Sequence, residues 1–450
     1  MVIPSDQGMV RILLLAMVVV GCCCGRVFLI GGALSPNNTD VYNALAKTVP
    51  GRTPTPGKCS EDWTVTTCPR IAVVTSAAAN SADGDQAYSV DITGSPCYHT
   101  LFLQFGMAPL HVTAHLDNYL QATDQGTAEG KRNYEILMQA DIVFFNGGDQ
   151  SRHSRTWLLD DGGCNAIFCS LISRYRISQV VWSGTSAGNA IMSNPTFGQG
   201  MSYGHIYFSN SVGLAPKKVN DGAVNGSGLS DTRNGTKGLQ YTDNGGFISG
   251  FPAISSIYES DSHFDARGRL VRIVPDMKQL NKTYAFGVDE DTAFFLDNNE
   301  GRVYGTNGVF FVDVSNATFP KTEYFTAKGV RVSYMSQGDR FSLNGNVITS
   351  SKPEITTPYY TNYTDSADIA AAYECTKLLT RLVDQKAQTN YGRTKVPSGY
   401  PSNAPRFELA FTKDSQTKGY YSNKKYTAVQ AIINIGVLAA RSLVGLHKRA

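Results

Sequence analysis

Gln179-Val180-Val181-Trp182 is a short apolar run that leads into Gly184-Thr185-Ser186-Ala187-Gly188. A strand followed by G-x-S-x-G and then by small, helix-forming residues is the nucleophile-elbow arrangement. The chain must turn sharply there, and the glycines permit both the turn and the close approach of a neighbouring element. Asn189 to Met192 read as the first turns of the following helix, so backbone N–H groups point at the serine. Ser186 is therefore a candidate nucleophile. The same residues also suit an ordinary Gly/Ser loop closing a βα unit, so other segments must decide.

Further short runs share the pattern. Arg26 to Ile30 ends in Gly31-Gly32, Arg70 to Val74 ends in Thr75-Ser76, and Asp141 to Phe145 ends in Asn146-Gly147-Gly148-Asp149. Leu110 to Thr113 follows a helical stretch. Wholly apolar strands capped by glycine and alternating with helices predict an α/β fold with a doubly wound, mostly parallel sheet. Functional loops then lie at the carboxyl ends of the strands, where both glycine-rich turns fall. Ala77 to Gly94 and Tyr203 to Gly250 read as polar surface loops. Ser366 to Lys386 has the spacing of an amphipathic helix, while Arg406 to Phe411 and Tyr426 to Ile435 alternate like strands.

The first 25 residues have the layout of a signal peptide: Arg11, an apolar run from Ile12 to Val20, then small residues to Gly25. Six N-x-S/T sequons, at Asn37, Asn225, Asn234, Asn281, Asn316 and Asn362, suit an exported glycoprotein. Without the segment holding Cys22, Cys23 and Cys24, six cysteines remain: Cys59, Cys68, Cys97, Cys164, Cys169 and Cys375. An even number allows full disulfide pairing with no free thiol, with Cys59–Cys68 and Cys164–Cys169 as the local candidates. Together these features predict a secreted, extracellular protein. A net charge of +3 implies no strong attraction to nucleic acid or to a membrane surface. No cysteine or histidine spacing suits zinc, so neither a metal nor a cofactor is expected. The apolar run from Ala428 to Val444, interrupted by Arg441, reads as a final strand or packed helix rather than an anchor.

A serine hydroxyl needs a base, and the base needs an orienting group. Of the seven histidines, His263 alone sits among acidic residues and glycine, in Asp261-Ser262-His263-Phe264-Asp265-Ala266-Arg267-Gly268-Arg269. Asp261 has the character of a helix cap, which places His263 in a first helical turn. Glu290, within Gly287-Val288-Asp289-Glu290-Asp291-Thr292-Ala293, is a candidate acid. On composition alone, Asp289 to Asp291 reads as a solvated turn.

The elbow, Phe145-Asn146-Gly147-Gly148-Asp149-Gln150, the Asp261 to Arg269 stretch and Gly287 to Ala293 form a set. Together they resemble the cyanophycinase branch of a serine peptidase family that also contains aspartyl dipeptidases. The resemblance covers residues 26–330. It implies a fold similar to class I glutamine amidotransferases. The pattern of the chain changes beyond about Tyr334, so the chain reads as a signal peptide (1–25), a peptidase domain (26–334) and a C-terminal extension packed on the core (335–450). The resemblance assigns Ser186 as nucleophile, His263 as base and Glu290 as orienting acid, with the Gly148 and Ala187 N–H groups as the oxyanion hole. It places Asp149, Gln150, Asp261, Ser262, Arg267, Arg269 and Arg272 around the substrate, where the arginines suit carboxylates.

The implied activity is hydrolysis of aspartyl peptide bonds, β-aspartyl-arginine chains among them, through an acyl-enzyme. The partner is then a peptide with aspartyl linkages, and a homodimer is compatible with the sequence. The competing reading is a non-catalytic secreted glycoprotein that binds peptides or matrix on the same fold. Two positions depart from the family. Ser262 stands where cyanophycinases usually have Gln, which implies a shorter pocket wall and weaker selection for the arginine-bearing unit. Asn189 stands where Ala is usual.

Overall fold

The computed structural model describes residues 25–159, 162–198, 202–209, 239–240 and 247–438. The signal-peptide reading of residues 1–25 and the sequons at Asn225 and Asn234 thus fall almost wholly outside the described residues.

Among the described residues, two nine-stranded sheets organise the fold, with a small three-stranded sheet beside them. In the first, five strands run parallel in the order Arg26–Ile30, Val181–Thr185, Ile142–Phe145, Arg70–Val74, Ala108–Val112. Neighbouring residues of one strand feed opposite layers. Val27 and Leu29 join a core containing Phe168 and Leu171 of helix Ala166–Arg176. Phe28 and Ile30 join another containing Val41 and Leu45 of helix Thr39–Ala46. Burial on both faces is why these strands are apolar at nearly every position. The flanking helices begin at side-chain caps: Asn38 accepts from the Val41 N–H, Thr127 from Gly130 and Asn165 from Phe168.

The expectation of a mostly parallel sheet holds only for this block. Thr292–Asp297, Glu300–Gly305, Arg340–Ser342 and Val347–Thr349 continue the first sheet in antiparallel pairing. The second sheet runs Asp365–Ser366, Thr389–Arg393, Phe407–Thr412, Lys425–Val437, Ala327–Ser336, Gly308–Asp313, Tyr284–Val288, Tyr258–Asp261 along its main path. Its parallel pairs are the two terminal ones on that path; the rest are antiparallel. The architecture is mixed α/β.

The expected boundary at residue 334 falls inside the strand Ala327–Ser336. That strand pairs with Gly308–Asp313 on one side and Lys425–Val437 on the other. Residues beyond 334 therefore complete the sheet that carries Asp261, rather than packing on a finished core. The expected loop from Ala77 to Gly94 contains a helix, Ser81–Ser89. Gly84 is its one buried residue, so the apolar periodicity that announces a helix is missing.

Cys59–Cys68 and Cys164–Cys169 are disulfides. Full pairing does not follow: Cys97 and Cys375 are buried free thiols. Cys97 caps the helix Tyr98–Gln104 and Cys375 lies in the helix Glu374–Val383, so each is held in a separate part of the fold.

Candidate active site

Ser186 ends the strand Val181–Thr185 and precedes the short helix Ala187–Ala190. Its φ is 54°, a left-handed conformation that side chains other than glycine seldom adopt. The turn is tight enough to need both flanking glycines. A Cβ on Gly184 would sit 2.1 Å from the Gly188 carbonyl oxygen, and one on Gly188 would sit 2.1 Å from that of Phe145.

His263 follows the strand Tyr258–Asp261 of the second sheet. Its Nε2 lies 2.7 Å from Ser186 Oγ, and its Nδ1 lies 2.7 Å from Glu290 Oε1. Glu290 stands in the crossover between Tyr284–Val288 of the second sheet and Thr292–Asp297 of the first. The serine thus comes from one sheet, the histidine from the other, and the glutamate from the chain that joins them.

One strand end ties these pieces together. The Ile30 carbonyl accepts the Ser186 N–H at 3.1 Å, the Gly31 carbonyl the His263 N–H at 2.7 Å, and the Gly32 carbonyl the Asp291 N–H at 3.0 Å. The histidine leans on this backbone. A Cβ at Gly32, where φ is +104°, would lie 2.4 Å from His263 Cε1 and Nε2. Gly31-Gly32 is legible in sequence as a strand end, but its role as the seat of the histidine depends on partners remote in the chain.

Burial lowers the His263 pKa below its ordinary 6.5; the Glu290 hydrogen bond opposes the shift, and the charges of Arg267 and Arg269 add to it. The ring is therefore neutral near neutral pH, able to accept a proton from the serine. Asp289 lies behind Glu290 and accepts the Ala266 and Glu290 N–H groups. Burial, with the charge of Asp265 nearby, pushes its pKa up to about 7. Asp291 accepts from Ser35, Asn38 and Thr306. The three carboxylates are structural and positional, not a solvated turn.

A cleft of about 790 Å³ opens beside Ser186 and is also lined by Gly147, Gly148, His263, Arg267 and Glu290. The Gly148 and Ala187 N–H groups donate to no acceptor among the described residues. Gly148 has φ +143°, and a Cβ there would meet the Ala77 carbonyl oxygen at 2.3 Å.

The other expected substrate residues divide. Arg267 is exposed and lines the cleft. Asp261 is fully buried and bound by Arg269 and Arg272; it ends a strand and caps no helix, so His263 follows a strand instead of opening a helical turn. The Arg272 guanidinium also lies over the Phe197 ring. Ser262 is buried, with its hydroxyl 3.3 Å from Arg269 Nη1, and does not line the cleft. Asp149 caps the helix Gln150–Trp157 by accepting the Ser151 N–H, and Gln150 donates to the Gly198 carbonyl. Asn189 is buried and accepts the Ser260 hydroxyl at 2.5 Å. Among the described residues, no group of three or more His, Cys, Asp or Glu side chains is placed to share a metal ion.

A hydroxyl on a left-handed strand–helix turn, joined through a histidine to a carboxylate, has the layout of a nucleophile, base and orienting acid. The chain is cyanophycinase-like. It is 23% identical over 252 residues to the cyanophycinase of Geminocystis herdmanii, covering 54% of this chain and 75% of that protein. It is 26% identical over 208 residues to the cyanophycinase of Trichormus variabilis, covering 45% of this chain and 56% of that protein. The match therefore spans little more than half of the second relative. A peptidase of known structure from an acI-B1 Actinobacterium aligns with 71% of this chain and 96% of its own, at 13% identity and a TM-score of 0.39. No family model matches the chain.

Proposed function

We propose that this protein is a secreted serine peptidase that hydrolyses aspartyl peptide bonds, including β-aspartyl bonds of the cyanophycin kind. The observation that carries this reading is the unbroken hydrogen-bonded path Ser186–His263–Glu290, at 2.7 Å for each link. Ser186 Oγ attacks the amide carbonyl as His263 Nε2 takes its proton. The protonated ring is held by Glu290, then gives the proton to the departing amine. Water, deprotonated by the same nitrogen, cleaves the acyl-enzyme and returns the serine. The Gly148 and Ala187 N–H groups receive the oxyanion; one such donor is typically worth about two to three orders of magnitude in rate. Arg267 meets a substrate carboxylate directly, while Arg269 and Arg272 act from behind through Asp261.

The aspartyl specificity rests on the cyanophycinase relatives. Secretion is supported by the two disulfides, which persist in oxidising compartments. It is also supported by the exposure of all four described sequon residues, Asn37, Asn281, Asn316 and Asn362. The parallel block with helices on both faces fits a doubly wound unit of the amidotransferase type.

The test is release of free amine from cyanophycin and from a panel of α- and β-aspartyl dipeptides, with Ser186→Ala as the control. The wild type is expected to cleave at least one class. The variant should fold normally and lose about 10⁴-fold or more in rate. A folded wild type that cleaves none of them, or a folded variant that keeps its rate, counts against the proposal.

A further inference from the structure

We infer that the cleft beside Ser186 selects a large apolar or aromatic side chain next to the aspartyl carboxylate over the guanidinium side chain of an arginine-bearing unit. This inference rests on the proposed hydrolysis and names its substrate class.

Two segments far apart in sequence build the wall. One contributes Leu34 and Pro36, the other Val90, Ile92, Tyr98 and Leu101. The second begins with the helix Ser81–Ser89, whose sequence gave no sign of it. Val90 and Ile92 are 48% and 66% exposed, so large apolar groups stand in water beside the candidate nucleophile. Covering them with an apolar group is favourable.

The charges do not outweigh this wall. Among the described residues lining the cleft, the charged ones are Asp83, Arg267 and Glu290. Glu290 is taken by His263. Asp83 is exposed and already accepts from the Asn80 amide. Arg267 is itself a cation. A guanidinium entering this space loses water against the apolar wall and finds in Asp83 only a solvent-exposed carboxylate, whose pairing is worth little.

Arg267 also lines an adjoining cavity of about 520 Å³, together with Arg269, Arg272 and Lys395. The carboxylate on that wall among the described residues, Asp368, faces Lys395 at 3.4 Å. That cavity offers a guanidinium no better partner. A carboxylate at Arg267 and an apolar side chain against Val90 and Ile92 satisfy both surfaces at once.

The experiment uses the full mature protein and two fluorophosphonate probes of equal length, one ending in phenyl and one in guanidinium. Labelling of Ser186 is followed by mass spectrometry, alongside hydrolysis of β-Asp-Phe and β-Asp-Arg. The apolar members should react faster by about tenfold or more, the scale on which hydrophobic pockets discriminate. Ile92→Asp should slow the phenyl probe and quicken the guanidinium probe, a crossed change that general loss of structure does not produce. Val90→Asp serves the same purpose if Ile92→Asp does not fold. Equal rates, or faster reaction of the guanidinium members, overturn this inference and leave the proposed hydrolysis standing. A folded protein that neither labels nor hydrolyses overturns both.

Discussion

The two sheets differ in what they ask of the sequence. The parallel block writes its strands as compact apolar runs, because each strand is covered on both faces. The second sheet is assembled from strands between residues 258 and 437, mostly antiparallel, and much of it comes from residues first read as an appendage. The first delivers Ser186 from five contiguous residues. The second delivers His263 through pairings that no local pattern contains. A nucleophile can be local, whereas its activation is set by how two sheets meet.

The largest expected effect tests whether the two sheets act as one unit. His263→Ala should cost about 10⁴-fold in rate or more, Glu290→Gln less, and the double variant little more than His263→Ala alone. Steady-state kinetics on folded protein measures this. Losses that multiply would mean that the glutamate acts independently of the histidine.

Gly32→Ala acts at the seam. The added methyl collides with the His263 ring and demands a positive φ from alanine. A small misplacement of a reacting group can cost about 10²-fold, so that is the expected fall in kcat/KM, with circular dichroism unchanged. Full activity in Gly32→Ala would show that His263 is not seated on the first sheet.

A smaller effect concerns the C-terminal part. Asp265, two residues past His263, accepts the N–H groups of Cys375 and Thr376 at the start of helix Glu374–Val383. Asp265→Ala should lower stability by about 1–2 kcal/mol in urea unfolding, the usual worth of such a cap. No loss would separate the late helix from the histidine loop and restore the expectation of an appendage.

The mildest test is titration. Protonated His263 cannot take the serine proton, so activity falls as pH drops through its pKa. Burial sets that value below 6.5, and the acid limb of kcat/KM should be centred below 6.5 as well. A limb centred higher would mean that the Glu290 contact outweighs burial.

Much of the parallel block was legible. Arg26–Ile30 and Arg70–Val74 match their sequence limits, because each apolar run opens on an arginine and ends at small or polar residues, Gly31-Gly32 and Thr75-Ser76. The elbow was legible for the same reason. Asp261 was not: a cap and a buried ion-pair partner look alike until Arg269 and Arg272, eight and eleven residues on, are seen to fold back. The cysteine count misled because parity says nothing of distance. The significance read into Ser262 dissolves once its side chain is found behind the cleft, against Arg269.

The carbonyls of Ile30, Gly31 and Gly32 have a consequence for error. Three groups brought together from residues 186, 263 and 290 would ordinarily accumulate three independent displacements. Here the elbow, the histidine and the residue after the glutamate are each pinned to successive rungs of one strand end. A shift of that strand end then carries all three along, as a common-mode displacement. Only motion within a rung changes the spacing on which proton transfer depends. The spacing of the three groups is therefore referred to one strand end and not to three separate supports.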